Sequence, residues 1–271
     1  MKEKLKISIV TPSFNQGDYI EKTIDSVLSQ GYENLEYIVI DGGSTDNSVE
    51  IIKKYEKYLT YWVSEKDKGQ ADALNKGFEQ ATGDIFAYIN SDDLYVKNTF
   101  NKINKEFQAD ANVEILYGDY FLLFNDDSLI AKPKISWDFD VALYSFLMIM
   151  QPASFWSKTI HQKINGFRDD RFFIPDYDFF MRAAHELKSN PSSIKHVKDY
   201  YAYFRIHDES ITGSGQKGFK KEGKELRKQF SSIDSKMIHN IKKYYYLFKA
   251  VRMYYKERGF IPVKADFKQN Y

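Results

Sequence analysis

Residues 7–89 alternate short apolar runs with amphipathic stretches, and this alternation restricts the folds open to the chain more than any other feature. The apolar runs lie at 7–11, 35–40, 60–63 and 84–89, and the amphipathic stretches between them at 19–28, 47–58 and 71–81. A strand–helix–strand repeat of this kind is typical of parallel sheets with helices on their faces. The sequence therefore predicts an α/β protein.

The later segments no longer alternate regularly, and they predict that the sheet is mixed. Candidate strands lie at 115–117, 121–124, 153–156 and 201–206, and candidate helices at 141–150 and 177–187. Residues 125–128, Asn-Asp-Asp-Ser, have the composition of a hairpin turn. A hairpin joins antiparallel strands, so we expect antiparallel pairing in this part of the sheet.

A change in composition near residue 213 separates a main domain from an extension. Residues 217–271 contain 15 Lys and Arg against 5 Asp and Glu, although the whole chain has 39 and 38. The part before the extension is therefore acidic, which does not favour nucleic acid as a partner. We predict a main domain over 1–213, with halves at 1–95 and 96–213, and a basic, aromatic, helical extension over 214–271.

The chain contains no cysteine, so any metal site must use oxygen or imidazole ligands. The first residues are charged and lead directly into a strand, without the apolar stretch of a signal peptide or a membrane span. We therefore expect a cytoplasmic location.

Carboxylates follow two of the predicted parallel strands, at the edge where a ligand crevice is expected. Asp41 comes directly after the strand at 35–40, and Asp92 and Asp93 follow the strand at 84–89. Adjacent carboxylates at a strand end need a counter-charge, which a divalent cation such as Mg²⁺ or Mn²⁺ supplies. The alternative is that these acids only cap or precede the next helix.

Four segments, taken in this order, resemble the family 2 glycosyltransferases, a large inverting group with the GT-A fold. They are residues 8–15 (Ser-Ile-Val-Thr-Pro-Ser-Phe-Asn), 41–46 (Asp-Gly-Gly-Ser-Thr-Asp), 67–77 (Asp-Lys-Gly-Gln-Ala-Asp-Ala-Leu-Asn-Lys-Gly) and 90–93 (Asn-Ser-Asp-Asp). The resemblance implies a Rossmann-like mixed sheet flanked by helices, with a helical C-terminal extension. It also implies that residues 1–95 bind a nucleotide sugar, with a uridine nucleotide expected, for bacterial polysaccharide biosynthesis at the cell envelope.

The resemblance assigns roles to individual residues. The donor-binding residues that it implies are Pro12, Phe14, Asn15, Asp41, Asp67, Gln70, Asp92 and Arg205. The implied ligands of Mg²⁺ or Mn²⁺ are Asp93, Asp92 and His207. For His207, a purely structural role is the alternative.

The same resemblance places the catalytic base and the acceptor site in the second half of the main domain. Asp176 matches the family's base, but Pro175 replaces the acidic residue that usually precedes it, so Asp178 stays open as an alternative. In an inverting transfer one carboxylate deprotonates the acceptor hydroxyl as it attacks the anomeric carbon. Asp119, Gln151 and Asp178 are the residues expected on the acceptor side.

In the extension, residues 241–256 interleave basic and aromatic side chains at helical spacing. Such a helix can lie on an anionic membrane surface, at the inner face of the membrane where lipid-linked glycans are found. The alternative is a helix packed on the main domain with a solvated basic face. The sequence does not decide between the two, and it leaves open whether the chain forms a homo-oligomer.

The sequence as a whole predicts a metal-dependent inverting glycosyltransferase that moves a sugar from a nucleotide diphosphate to a hydroxyl of a glycan or lipid-linked acceptor. A dinucleotide-dependent dehydrogenase is disfavoured because no Gly-x-Gly-x-x-Gly segment follows the first strand. Two alternatives remain: a nucleotidyltransferase acting on a sugar phosphate, and a subunit that binds nucleotide sugars without catalysis.

Overall fold

A nine-stranded mixed sheet forms the centre of the structure, a computed structural model that describes residues 3–207, 216–231 and 236–259. The strands run in the spatial order β3-β2-β1-β4-β8-β6-β9-β5, and β7 pairs with β6. Their bounds are β1 Ile7–Ser13, β2 Leu35–Asp41, β3 Tyr61–Ser64, β4 Ile85–Tyr88, β5 Leu94–Tyr95, β6 Ile115–Phe124, β7 Leu129–Lys132, β8 Ser154–Ser157 and β9 Ile194–Ile206.

Helices connect the parallel strands and form the C-terminal part of the described chain. The α-helices are α1 Ile20–Leu28, α2 Ser48–Tyr55, α3 Gln70–Gln80, α4 Thr99–Ala109, α5 Phe139–Tyr144, α6 Lys158–Lys163, α7 Pro175–Glu186, α8 Gln216–Phe230 and α9 Lys236–Arg258. Short 3₁₀ helices lie at Glu56–Tyr58, Gln151–Ala153 and Pro191–Ser193.

The parallel half of the sheet brings four loops to one edge. β1 pairs in parallel with β2 and β4, and β2 pairs in parallel with β3. Fully buried side chains such as Val10, Ile38 and Ala87 hold these strands in the core. Because the carboxyl ends of parallel strands meet at the same edge, the loops after β1, β2, β3 and β4 lie side by side there.

Glycine at position 77 lets α3 lie close to this sheet. A Cβ added there would be 2.4 Å from Val10 Cγ1 and 3.3 Å from Ile40 Cγ1, so a larger residue would push the helix outward. The close packing also fixes the start of α3, at Gln70, relative to the strand ends.

Several elements differ from the sequence-based prediction. β6 is one continuous strand where two were predicted, and its pairing with β9 is irregular at Gly118 and Asp119. A Cβ at Gly118 would be 2.4 Å from the Tyr201 ring, so glycine permits the close approach of β9. α5 ends at Tyr144 rather than near residue 150, β9 begins at Ile194 rather than 201, and β5, α4 and α6 were not predicted.

Helices α8 and α9 pack on the rest of the protein. Leu226 of α8 and Ala250 of α9 share a buried cluster with residues of α5 and α7, among them Val141 and Met181. The extension therefore packs on the main domain. What its outer face contacts and the domain boundary at 213 both remain predictions. Within the described ranges, no helix has the length and apolar character needed to span a bilayer.

Candidate active site

A cavity of about 710 Å³ opens at the edge where the parallel strands end. Its walls come from the loops after β1 to β4, from the start of α7, and from α8 and α9. A volume of this order suits a small-molecule site. The cavity is therefore the candidate functional site, and every predicted site residue can be located relative to it.

Four residues predicted to bind the donor line one side of the cavity: Pro12, Phe14, Asp67 and Gln70. The Phe14 ring is 57% exposed, an unusual exposure for a large apolar side chain beside a cavity. Gln70 donates a hydrogen bond from Nε2 to Asn90 Oδ1 at 2.6 Å, which ties the start of α3 to the loop after β4.

Asp41 and Asn15, also predicted to bind the donor, shape the loops without lining the cavity. Asp41 is fully buried, and its carboxylate accepts hydrogen bonds from the backbone N–H groups of Gly43 and Ser44 and from the hydroxyls of Ser44 and Ser64. Asn15 adopts a φ of 52°, and its Oδ1 accepts a hydrogen bond from Thr45 N at 2.8 Å. Both residues thus fix the turn after β2 that forms the cavity wall.

Asp92 and His207 meet inside the cavity. His207 Nε2 lies 3.0 Å from Asp92 Oδ2, and both residues line the cavity. Arg205 does not line it; its Nε donates to the backbone oxygen of Asp92 at 2.8 Å, and its guanidinium lies 5.4 Å from the centre of the Tyr19 ring. Arg205 therefore fixes the backbone of Asp92 from outside the cavity.

Asp93 lies beneath this loop and is 1% exposed. Its Oδ1 accepts a hydrogen bond from Arg205 N at 2.9 Å, which joins the end of β9 to the loop after β4. Burial, and next the neighbouring Asp92 charge, raise the pKa of Asp93 well above its ordinary value. Of the two acids expected to bind metal, the structure brings only Asp92 into the cavity.

Asp92 and His207 fit a divalent cation that would take further oxygen ligands from a bound diphosphate. One carboxylate and one imidazole are acceptable ligands for Mg²⁺ or Mn²⁺ and leave most coordination positions open. Among the described residues, no group of three or more His, Cys, Asp or Glu side chains is placed to hold a metal unaided. The cation would therefore also need oxygen ligands from the donor diphosphate and from water.

Asp176 and Asp178, left undecided as the base, lie in different environments. Asp176 is on the first turn of α7 and lines the cavity, and burial raises its pKa above the ordinary value. Asp178 is fully buried away from the cavity, where its carboxylate pairs with Arg182 Nε at 2.6 Å and with Arg168 and Arg171 at 3.3 and 3.6 Å. Only Asp176 is placed to reach a ligand.

The other two residues expected on the acceptor side, Gln151 and Asp119, also differ in whether they line the cavity. Gln151 lines the cavity and donates to the backbone oxygen of Tyr88 at 2.6 Å. Asp119 lies at the irregularity of β6 and does not line the cavity. Its carboxylate binds Arg258 of α9 at 2.5 and 2.7 Å and lies 3.1 Å from His196 Nε2. Asp119 thus fastens α9 to the sheet.

The sequence did not predict one part of the cavity wall. This part comes from α5, from α8, from α9 and from the loop that precedes α7. These residues include Tyr144, Phe172, Phe173, Arg227, His239 and Lys243. The basic, aromatic composition of the extension was visible in the sequence. Nothing in its periodicity indicates that the extension folds back onto the site, because that depends on packing against α5 and α7.

Comparisons with known proteins identify the family and the fold of the chain. The model of the family described as glycosyl transferase family 2 matches residues 8–182. An uncharacterized glycosyltransferase of Mycobacterium tuberculosis is 32% identical over 197 residues, which are 70% of this chain and 72% of that protein.

Two solved structures have a similar fold. The crystal structure of S. aureus TarS 1–349 in complex with UDP has a TM-score of 0.63 and 17% identity, with 93% of this chain and 72% of that chain covered. The mannosyltransferase PcManGT from Pyrobaculum calidifontis, in complex with GDP-Man and Mn²⁺, has a TM-score of 0.62 and 16% identity, with 96% and 78% covered. The fold is the expected GT-A fold, and the chain belongs to glycosyl transferase family 2.

Proposed function

We propose that this glycosyltransferase transfers one sugar from a UDP-sugar to a hydroxyl of a glycan or lipid-linked glycan, with inversion at the anomeric carbon. The observation that carries the proposal is the position of Asp176. Its carboxylate lines the cavity, whereas the nearby arginines pair with Asp178. UDP is the nucleotide bound by TarS in the similar structure, which supports a uridine donor here.

In this proposal the donor lies along the loops after β1 to β4. The exposed Phe14 ring and Pro12 contact the nucleobase, Asp67 and Gln70 contact the sugar nucleotide, and the diphosphate lies beside Asp92. A Mg²⁺ or Mn²⁺ ion held by Asp92 and His207 would neutralise the charge that develops on the leaving diphosphate. The Mn²⁺ in the PcManGT complex supports the choice of cation.

Asp176 acts as the general base. Its carboxylate accepts the proton of the acceptor hydroxyl while the hydroxyl oxygen forms a bond to the anomeric carbon. The bond from that carbon to the diphosphate oxygen breaks on the opposite face, and the nucleotide diphosphate leaves. One displacement inverts the configuration. The raised pKa of Asp176 makes it a stronger base than an exposed aspartate.

A donor screen tests this function. Purified protein is incubated with nucleotide sugars and Mn²⁺, first without acceptor to detect slow hydrolysis and then with bacterial glycan acceptors, and the anomeric configuration of the product is read by NMR. We expect UDP release and an inverted product. Retained configuration would exclude the single displacement, and release of pyrophosphate would instead identify a nucleotidyltransferase.

We further propose that the outer face of α9 rests on an anionic bilayer, which would bring the cavity to lipid-linked acceptors. Ile241, Tyr245 and Phe248 are 61%, 63% and 71% exposed and follow each other at helical spacing. Arg252 and Lys256 continue the same face and are exposed. Aromatic and basic side chains on one helix face are typical of interfacial binding.

Co-sedimentation with phosphatidylglycerol vesicles tests this contact. Binding should be lost in the Ile241→Glu, Phe248→Glu double variant and kept in Ile130→Glu, which changes an exposed apolar residue of β7. Equal sedimentation of the double variant, or equal binding to uncharged phosphatidylcholine vesicles, would contradict the proposal.

A further inference from the structure

Three basic side chains converge on the wall of the cavity that α8 and α9 form. Arg227 comes from α8, His239 and Lys243 come from α9, and all three are half-buried and line the cavity. They are close enough to interact, since burial, then Arg227 and then Lys243 lower the pKa of His239. We call Arg227, His239 and Lys243 the basic cluster.

The positive charge of the basic cluster is not balanced by carboxylates in the described part of the chain. Arg227 and Lys243 make no ion pair there, whereas Arg168, Arg171 and Arg182 all pair with Asp178. Tyr177 lies near Arg227, but burial raises the pKa of its phenol, so it is neutral at physiological pH and supplies no counter-charge. Holding partly buried cations together without an anion is unfavourable, so the arrangement favours binding of a negatively charged group.

The basic cluster lies on the acceptor side of the cavity. Arg227 neighbours Tyr177, the residue next to Asp176, and the His239 ring lies 6.0 Å from the ring of Tyr144 in α5. The groups proposed to hold the donor diphosphate, Asp92 and His207, come instead from the loops at the sheet edge. An anion bound by the cluster therefore lies on the wall formed by α8 and α9, near the residue that follows Asp176, and not at the loop that carries Asp92.

We propose that the basic cluster binds a phosphate or carboxylate group of the acceptor, so that the enzyme glycosylates an acidic rather than a neutral glycan. This inference rests on the proposed transfer reaction and names its acceptor class. The Arg227 guanidinium offers paired N–H donors to two oxygens of the anion, and Lys243 adds a point charge. Together they orient the acceptor so that its hydroxyl faces Asp176.

The test uses glucose 6-phosphate, glucuronic acid and glucose as probes of the wild-type protein saturated with UDP and Mn²⁺, with binding followed by calorimetry. We expect the better of the two anionic probes to bind at least tenfold more tightly than glucose, and which one does so distinguishes phosphate from carboxylate recognition. Equal binding of glucose would overturn the inference.

Two variants and a control locate the anion. Arg227→Gln and Lys243→Gln should each weaken binding of the anionic probe about tenfold or more and leave UDP binding unchanged. Lys224→Gln, an exposed basic residue of α8 that does not line the cavity, should change neither. If the two variants keep the affinity for the anionic probe, or weaken UDP binding equally, the cluster does not serve the acceptor.

Donor hydrolysis, measured in the same proteins, separates this inference from the proposed function. Wild-type protein that hydrolyses UDP-sugars but shows no preference for anionic probes would refute the acceptor class alone. Protein that neither binds UDP nor hydrolyses any nucleotide sugar would refute the proposed function, and with it this inference.

Discussion

Asp176 and Asp178 lie two residues apart on the first turn of α7, yet one lines the cavity and the other is buried among three arginines. Residues two apart on an α-helix project about 200° from each other, so the same turn serves both the site and the protein interior. The arginine pairs of Asp178 anchor the turn, and the anchored turn directs Asp176 into the cavity.

Asparagine substitutions should therefore separate catalysis from stability. Asp176→Asn removes the proposed base, so kcat should fall by about 10²–10⁴-fold while the protein stays folded. Asp178→Asn leaves buried arginines without their anion, and the free energy of unfolding should fall by about 3–5 kcal/mol. Steady-state rates and urea denaturation of both variants check this. A folded, inactive Asp178→Asn variant beside an active Asp176→Asn variant would reverse the assignment.

The pH dependence of the transfer rate should reflect the pKa of Asp176, which burial raises. The base acts only when deprotonated, so kcat/KM, which reports groups of the free enzyme, should increase with pH through a pKa above the range of exposed aspartates. When a carboxyl has a higher pKa in the folded chain than in the unfolded chain, the folded protein loses stability as the pH rises from the lower pKa through the higher one. Asp176→Asn should then melt at a higher temperature than wild type at neutral pH, and the difference should vanish in acid. An acid limb at the pKa of an exposed carboxyl would contradict this.

The parallel half of the fold and the residues at its edge could be predicted from the sequence, because apolar periodicity and motif spacing are local signals. Val10 and Ile38 are buried in strands where the alternation predicted them. Whether a carboxylate faces the cavity depends on three-dimensional neighbours that the spacing does not contain. Asp119 pairs with Arg258, 139 residues further along the chain, and no local pattern predicts that contact.

Asp92 and Asp93 should likewise respond differently to substitution. Asp92→Ala removes a cavity carboxylate, so the affinity for Mn²⁺ in the presence of UDP should fall at least about tenfold with little change in stability. Asp93→Ala leaves the buried N–H of Arg205 without its acceptor, and stability should fall by about 1–3 kcal/mol. Calorimetric titration with Mn²⁺ and thermal denaturation distinguish the two. Loss of Mn²⁺ binding in folded Asp93→Ala but not in Asp92→Ala would restore Asp93 as the ligand.

Glu222 of α8 holds the loop that leads to Asp176. Its carboxylate accepts hydrogen bonds from the backbone N–H groups of Phe172, Phe173 and Ile174, at 3.2, 3.0 and 3.2 Å. Charge-assisted hydrogen bonds to consecutive amides are stronger than neutral ones, so they fix the backbone just before α7 begins. Glu222 is thus a positioning residue, because it acts on the site through the loop.

Glu222→Ala should free the loop and misplace Asp176, which should lower kcat about 10–100-fold with a smaller effect on the KM for the donor. Glu225→Ala is the matched control: Glu225 lies on the same helix and, among the described residues, its ion pair is with Arg171 at 3.4 Å, so its loss should change kcat less than twofold. Hydrogen exchange at the amides of 172–174 should speed up in Glu222→Ala alone, and Glu222→Gln, which keeps an acceptor oxygen, should recover part of the rate. Faster exchange with an unchanged kcat would show that the loop does not position the base.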